Sequence, residues 1–326
     1  MSTTKIEWAT KVWNPVTGCT KVSEACQNCY AERFANRLQK NPKVKGKYEN
    51  GFKVTWHEEQ LLVPAQWKKP QRIFVCSMGD LFHEDVPFGF IDCVFTVMAN
   101  LDHHTYIILT KRPERMLEFY KWKSKQLGIP WQAKDNVWVG CTTENQQRAD
   151  ERIPFLIQIP ASVRLISCEP LLGPIDLAPI FGLHVLKMFA GQNEGSYGLN
   201  WIIAGGETGP GARPSHPEWF RSLQNQCEKA IIPFFFKGWG DYYTKSILST
   251  SKEPLFRIFS SFQDWVNTAR TWVHGGKCVS IDGTQCKRGA DFRKCAYPVA
   301  IMDQVGKKNA GRKLDGKEYN EFPKLS

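Results

Sequence analysis

The stretch "TGCTKVSEACQNCYAERF" (17–34) places Cys19, Cys26 and Cys29 within eleven residues. Thiolates are ligands for soft metals, and three of them are one short of the set that closes a structural zinc site. The residue types leave three readings open: buried thiols, a zinc site completed by a distant ligand such as His57, or a [4Fe–4S] cluster with one iron lacking a protein ligand. A second group, Cys278, Cys286 and Cys295, lies in "HGGKCVSIDGTQCKRGADFRKCAYP" with His274 just upstream. Its spacing matches no tight zinc-finger pattern and leaves a Cys3His zinc site, a second iron–sulfur cluster and loose thiols as alternatives. Cys76, Cys93, Cys141, Cys168 and Cys227 fall in apolar patterns, where a free cysteine reads as a small buried hydrophobe.

Other residues capable of chemistry recur at one kind of position. Asp80, His83 and Glu84, then Lys111 and Arg112, then Thr142, Glu144 and Asn145 each follow a short apolar run. Ser167 with Glu169, Glu207 with Arg213, and Lys237 with Trp239 do the same. The runs are "RIFVCSM" (72–78), "HTYIILT" (104–110), "NVWVGCT" (136–142), "VRLISCE" (163–169), "NWIIAGG" (200–206) and "IPFFFKG" (232–238). Continuous apolar, β-branched character over this length is what strands buried on both faces require.

Helical patterns follow most of these runs, at 88–101, 113–125 and 143–159, the last with Pro154 kinking or ending its regular part. In "SHPEWFRSLQNQCEKA" (215–230), Ser215 and Glu218 form a capping-box pattern with Pro217 in the first turn. Strand, helix, strand at this spacing predicts an α/β protein with a partial or complete parallel (β/α) barrel, and no GxGxxG supports a doubly wound sheet. "KVWNPV" (11–16) serves as the first strand and "YAERFANRLQ" (30–39) as the first helix, so the three cysteines fall in the first β-to-α loop. Loops at the strands' C-terminal ends build the active site of such barrels. The barrel is expected over 1–240, with the cysteine loop at 17–30 and a cysteine-containing extension over 241–326.

Composition narrows the class of protein. The 326 residues are 42% hydrophobic and 23% charged, as in a globular chain. No apolar run reaches the roughly 18–20 residues that span a bilayer, and "MSTTKIEWAT" lacks a signal peptide's apolar core, which predicts a cytoplasmic protein without a membrane partner. The formal charge of +11 favours polyanionic partners.

"IEWATKVWNPVTGCTKVSEACQNCYAERFANRL", "CSMGDLFHEDVP", "ILTKRPERM", "NVWVGCTTENQQRADERIP", "ISCEPLLGPIDL", "WIIAGGETGPGARP", "PFFFKGWG" and "GRKLDGKEYNEFP" run in order along the chain. Together they resemble the three-Cys-motif family of phage and bacterial proteins, which is similar in turn to radical S-adenosylmethionine enzymes. Those enzymes space their cysteines CxxxCxxC, whereas here six residues separate Cys19 from Cys26. The resemblance implies that Cys19, Cys26 and Cys29 hold a [4Fe–4S] cluster and that S-adenosylmethionine is cleaved to a 5′-deoxyadenosyl radical. It implies an electron-donor protein, a nucleic acid or nucleotide substrate, and residence in a bacterial or phage-infected cell. "GGE" (205–207) resembles the motif that holds the methionine amino group in such enzymes, which makes Gly205, Gly206, Glu207, Arg213 and Ser167 candidates for binding the cofactor. Asp80, Lys111, Glu144, Glu169 and Lys237 are candidates for catalysis, and Trp239 for stacking on a base. Two other functions are carried forward: a zinc- or cluster-stabilised nucleic-acid-binding protein without catalysis, and a metal-dependent barrel hydrolase using Asp80, His83 and Glu84.

Overall fold

The first-strand pattern and the six apolar runs all form strands, and they pair in the order in which they occur in the chain. The structure is a computed structural model that describes residues 4–41, 46–182, 198–244, 247–248, 254–255, 258–268, 276–286 and 291–324. The strands are β1 (Lys11–Trp13), β2 (Arg72–Val75), β3 (Thr105–Thr110), β4 (Val137–Thr142), β5 (Arg164–Cys168), β6 (Trp201–Gly205) and β7 (Phe234–Gly238). Every ladder is parallel, from Lys11 opposite Ile73 in β1–β2 to Ile202 opposite Phe234 in β6–β7. Sequential parallel order means that each crossover steps the same way, so the sheet curls. Among the described residues β1 and β7 do not pair, and the result is a partial (β/α) barrel.

The helices are α1 (Tyr30–Gln39), α2 (Phe88–Asn100), α3 (Pro113–Leu127), α4 (Gln146–Leu156) and α5 (Pro217–Ala230). Strand side chains alternate between two cores, as the period of two demands. Tyr106 and Ile108, Val137 and Val139, Ile202 and Ala204, and Phe234 and Phe236 pack in one core with α2 to α5. Ile107, Trp138, Leu165, Trp201, Ile203 and Phe235 point the other way, into the barrel.

That interior is plugged from both ends of the chain. Trp8 and Phe322 enter it, and Trp201 meets Trp8, Trp138, Phe235 and Phe322 with ring centroids 5.1–6.4 Å apart. The tail also covers the open edge of β7: the Phe236 N–H donates to the Tyr319 carbonyl, and the Glu321 N–H to that of Phe234.

Several local expectations are corrected. Pro154 lies within α4, which runs on to Leu156. The capping box at α5 is replaced by His216, whose Nδ1 accepts the Glu218 N–H at 3.1 Å, while Ser215 Oγ donates to the Leu171 carbonyl. Cys93 is exposed on α2 rather than buried. Cys141 and Cys168, by contrast, are fully buried as expected, toward the helices, and burial pushes the Cys168 thiol up to about 12.

Beyond β7 an antiparallel sheet forms from β8 (Tyr242–Tyr243), β9 (Ile258–Phe259), β10 (Lys277–Ser280), β11 (Gln285–Cys286) and β12 (Val299–Gln304). Cys278 stands opposite Cys286 across β10–β11, and Cys286 is joined to Cys295 in a disulfide. A Cys3His zinc site or a cluster here, two of the three alternatives for this group, would need both of these thiols reduced. His274 lies outside the described residues.

Candidate active site

The inward-facing rows of the barrel change character along their length. Ile107 and Leu109 lead to Lys111, Trp138 and Gly140 to Thr142, Leu165 and Ser167 to Glu169, and Phe235 to Lys237. The N-terminal part of each row is apolar floor, and the step past the aromatic plug is polar. A cavity of about 400 Å³ opens there, at the C-terminal ends of the strands. Trp8, Phe74 and Leu109 form its floor. Asp80, Lys111, Ser167, Glu169, Gly205, Gly206, Glu207 and Lys237 line it, and Cys19, Cys26 and Cys29 stand on the same wall.

Eight of the ten proposed catalytic and cofactor-binding residues are therefore brought together with the three thiols; Glu144 and Arg213 are not among the lining residues. Glu144 is wholly buried behind the wall, bonded to Arg152 at 2.8 Å and facing the Ala25 N–H at 3.5 Å. It supports the turn that carries Cys26. Arg213 lies outside and grips Glu207 through its backbone N–H, Nε and Nη2, at 2.6–2.8 Å. Glu207 also accepts from Asn28 Nδ2 at 3.2 Å, so its carboxylate ties the cysteine loop to the end of β6. Gly206 is required by packing, since a Cβ there would collide with the Trp239 carbonyl, while Gly205 leaves room for the Glu169 carboxylate 2.8 Å from where its Cβ would stand.

Glu169 Oε1 lies 3.2 Å from Lys237 Nζ, and Ser167 Oγ donates to Oε2 at 3.3 Å. Lys111 has no ion-pair partner among the described residues, which leaves its ammonium for an anionic group in the cavity. Asp80 is occupied: it accepts from Thr110 Oγ1 at 2.7 Å, from the Phe82 and Lys111 N–H groups, and from Arg112 at 3.2 Å.

Arg112, named with Lys111 at a strand end but given no role by the sequence, holds the loop. Its guanidinium reaches Glu84, Asp80, Thr20 Oγ1 at 2.7 Å and Cys19 Sγ at 3.4 Å, so one buried fork holds the start of the cysteine loop. His83 is buried beside it, with Nε2 at 2.8 Å from Thr20 Oγ1 and Nδ1 accepting from the Asp85 N–H. These contacts consume Asp80, His83 and Glu84 as a hydrolase set. His57 is no nearer to serving as a zinc ligand, since its ring contacts Thr17 at 2.8 Å and Glu59 at 3.4 Å. Trp239 is buried, with its indole N–H on the Lys313 carbonyl, and offers no stacking face.

The three loop thiols are half-buried and open on the cavity; Cys76 also borders it but is buried, as are Cys141, Cys168, Cys227 and Cys278. Burial, followed by the nearby Asp80 carboxylate, pushes the Cys19 thiol up to about 11. Among the described residues no three His, Cys, Asp or Glu side chains converge closely enough to hold a metal ion as they stand. The donors share a wall rather than a preformed cage. In softness, in number and in exposure to one cavity, they fit a cluster with three protein ligands.

A parallel partial barrel with thiols and polar side chains at its C-terminal mouth defines the architectural class. Residues 3–323 match the family model described as a protein of unknown function, DUF5131, and the chain belongs to that family. A search of curated proteins finds no match. Among solved structures the chain is similar to a spore photoproduct lyase carrying a Cys-to-Ser substitution, at 12% identity and a TM-score of 0.40, over 71% of this chain and 75% of the other. It is also similar to spore photoproduct lyase complexed with dinucleoside spore photoproduct, at 11% identity and a TM-score of 0.36, over 66% and 71% of the two chains.

Proposed function

We propose that this chain is a radical S-adenosylmethionine enzyme acting on a nucleic acid or nucleotide. The observation that carries the reading is the placement of Cys19, Cys26 and Cys29 on the wall of the cavity formed by the barrel's inward polar strand ends. These thiolates would hold a [4Fe–4S] cluster, which, once reduced by an electron-donor protein, would supply the one-electron chemistry of reductive S-adenosylmethionine cleavage.

The chain's own residues have separate tasks. Arg112 and Glu144 fix the two halves of the cysteine loop, and Glu207 fixes Asn28 between the second and third thiols. Trp8, Phe74 and Leu109 keep water and stray hydrogen donors from the floor. Lys111 offers charge to a carboxylate or phosphate, and the Glu169–Lys237 pair offers an acceptor and a donor to hydroxyl or amino groups. Lys5 and Lys307 also line the cavity and, with the basic balance of the chain, suit a phosphate-bearing substrate.

Anaerobic purification tests the cofactor. The expected protein is brown, is bleached by dithionite, and carries about four iron and four sulfide per chain, all lost when the three cysteines are changed to alanine. Reduced protein should then release 5′-deoxyadenosine from S-adenosylmethionine, and Cys26→Ala should not. A colourless protein holding stoichiometric zinc on these thiols overturns the reading.

A further inference from the structure

The described large aromatic side chains with substantial exposure are Tyr30, Phe34 and Trp56, at 53%, 40% and 43%. All three lie between β1 and β2, in a chain with 12 Trp, 9 Tyr and 20 Phe. On α1 their placement follows the helix period. Ala31, Ala35 and Leu38 pack inward with Tyr48, Phe52 and Met78. Tyr30 and Phe34, at i and i+4, share the outward face. At 1.5 Å of rise per residue their positions are about 6 Å apart along the axis. Tyr30 also lines the cavity, and its hydroxyl donates to the Ser77 carbonyl, which holds the ring at the mouth. Arg37 lies over the Phe34 ring, 4.5 Å from its centroid.

The charge around these rings is lopsided. The described residues 18–41 and 46–56 contain six Lys or Arg against three Glu. Two of the three glutamates are already paired, Glu24 with Arg148 and Glu32 with Lys21. What remains is isolated aromatic faces set among cations, beginning at the cavity mouth. A protein partner calls for a broader apolar patch. Unpaired bases on a polyanionic backbone call for stacking platforms and cations together. A duplex hides its base faces and meets only the charge.

We infer that the described residues 18–41 and 46–56, with Tyr30 and Phe34 as stacking platforms and Arg37 among the phosphate contacts, form a docking surface that leads a single-stranded nucleic acid to the cavity. The inference deepens, and rests on, the nucleic-acid half of the proposed function.

Fluorescence anisotropy of labelled oligonucleotides about ten nucleotides long tests it, with single-stranded DNA, single-stranded RNA and duplex DNA as separate arms. One or both single strands should bind more tightly than the duplex. Tyr30→Ala and Phe34→Ala should each weaken binding about tenfold. Arg37→Glu should weaken it and reduce the slope of log affinity against log salt by about one. Ile231→Ala, at an exposed apolar residue outside the segment, should bind as the wild type does, and thermal melts should show all variants folded. Absence of wild-type binding, equal duplex binding, or unchanged affinity in Tyr30→Ala and Phe34→Ala overturns the docking surface. Release of 5′-deoxyadenosine by Phe34→Ala without nucleic acid separates the two ideas. If release persists while the docking surface fails, the cofactor reading stands alone. A cluster-free protein that loses oligonucleotide binding on Phe34→Ala keeps the docking surface and sinks the enzyme.

Discussion

Asp80 and Arg112 carry more of the site's architecture than any other pair of side chains. Both are nearly buried, and each makes contacts that no neighbour could replace. Removing one partner of a buried pair leaves an uncompensated charge, which costs roughly 3–5 kcal/mol. Arg112→Ala is therefore expected to lower the melting temperature sharply and to free the Thr20–Cys19 end of the loop. Alkylation of Cys19 in the metal-free protein, followed by mass spectrometry, should become faster. Arg112→Lys should recover only part of the loss, because an ammonium cannot reproduce a fork that reaches Asp80, Thr20, Glu84 and Cys19 together. If both variants melt and alkylate like the wild type, the fork does not hold the loop.

At the scale of elements, α5 begins on a titratable cap. His216 Nδ1 must be unprotonated to accept the Glu218 N–H. Burial, aided by the Arg221 charge, lowers its folded pKa to about 4 from an ordinary value near 6.5. The unfolded chain thus binds the proton first as pH falls. The cap's contribution is complete above about pH 6.5 and is lost between there and about pH 4, a change of order 3 kcal/mol. Urea melts across that window should show the loss, and His216→Asn, which caps without titrating, should flatten it. The loops after β6 and β7 make a second element-scale case. Gly206 sits where a side chain would strike the Trp239 carbonyl. Gly206→Ala should push the two loops apart and lower both the melting temperature and the yield of folded protein. Stability equal to wild type would show that the loops can give.

For the molecule as a whole, the barrel is held by the two ends of one chain. Trp8 and Phe322 meet at Trp201, and the tail pairs with the exposed edge of β7. Phe322→Ala removes a half-buried ring from this contact, at a cost of about 2 kcal/mol, or about 3 °C in melting temperature for a chain of this size. Deleting residues 315–326 should cost more, because it also uncovers the β7 edge and invites association. Size-exclusion chromatography with melting curves checks both, and a monomeric deletion variant of unchanged stability would show that the plug is dispensable.

The parallel strands, their order and the cysteine loop at the first strand's C-terminal end were legible in the sequence. Apolar runs of strand length can be buried only in a sheet covered on both faces, and the period of two decides which residues reach the cavity. Lys111, Ser167, Glu169 and Lys237 followed from that rule. Glu144, Arg213 and Trp239 occupy similar places in the sequence, yet they serve as a support behind the loop, a clamp on Glu207 and a core ring. Arg112 stood beside Lys111 as a strand-end residue, but nothing in the sequence showed its partners. The period fixes which side of a strand a residue faces, but pairing among loop residues depends on which loops meet across the mouth. Those meetings, Asn28 with Glu207 and Arg112 with Cys19, join segments from 93 to 179 residues apart, and only the tertiary structure decides them.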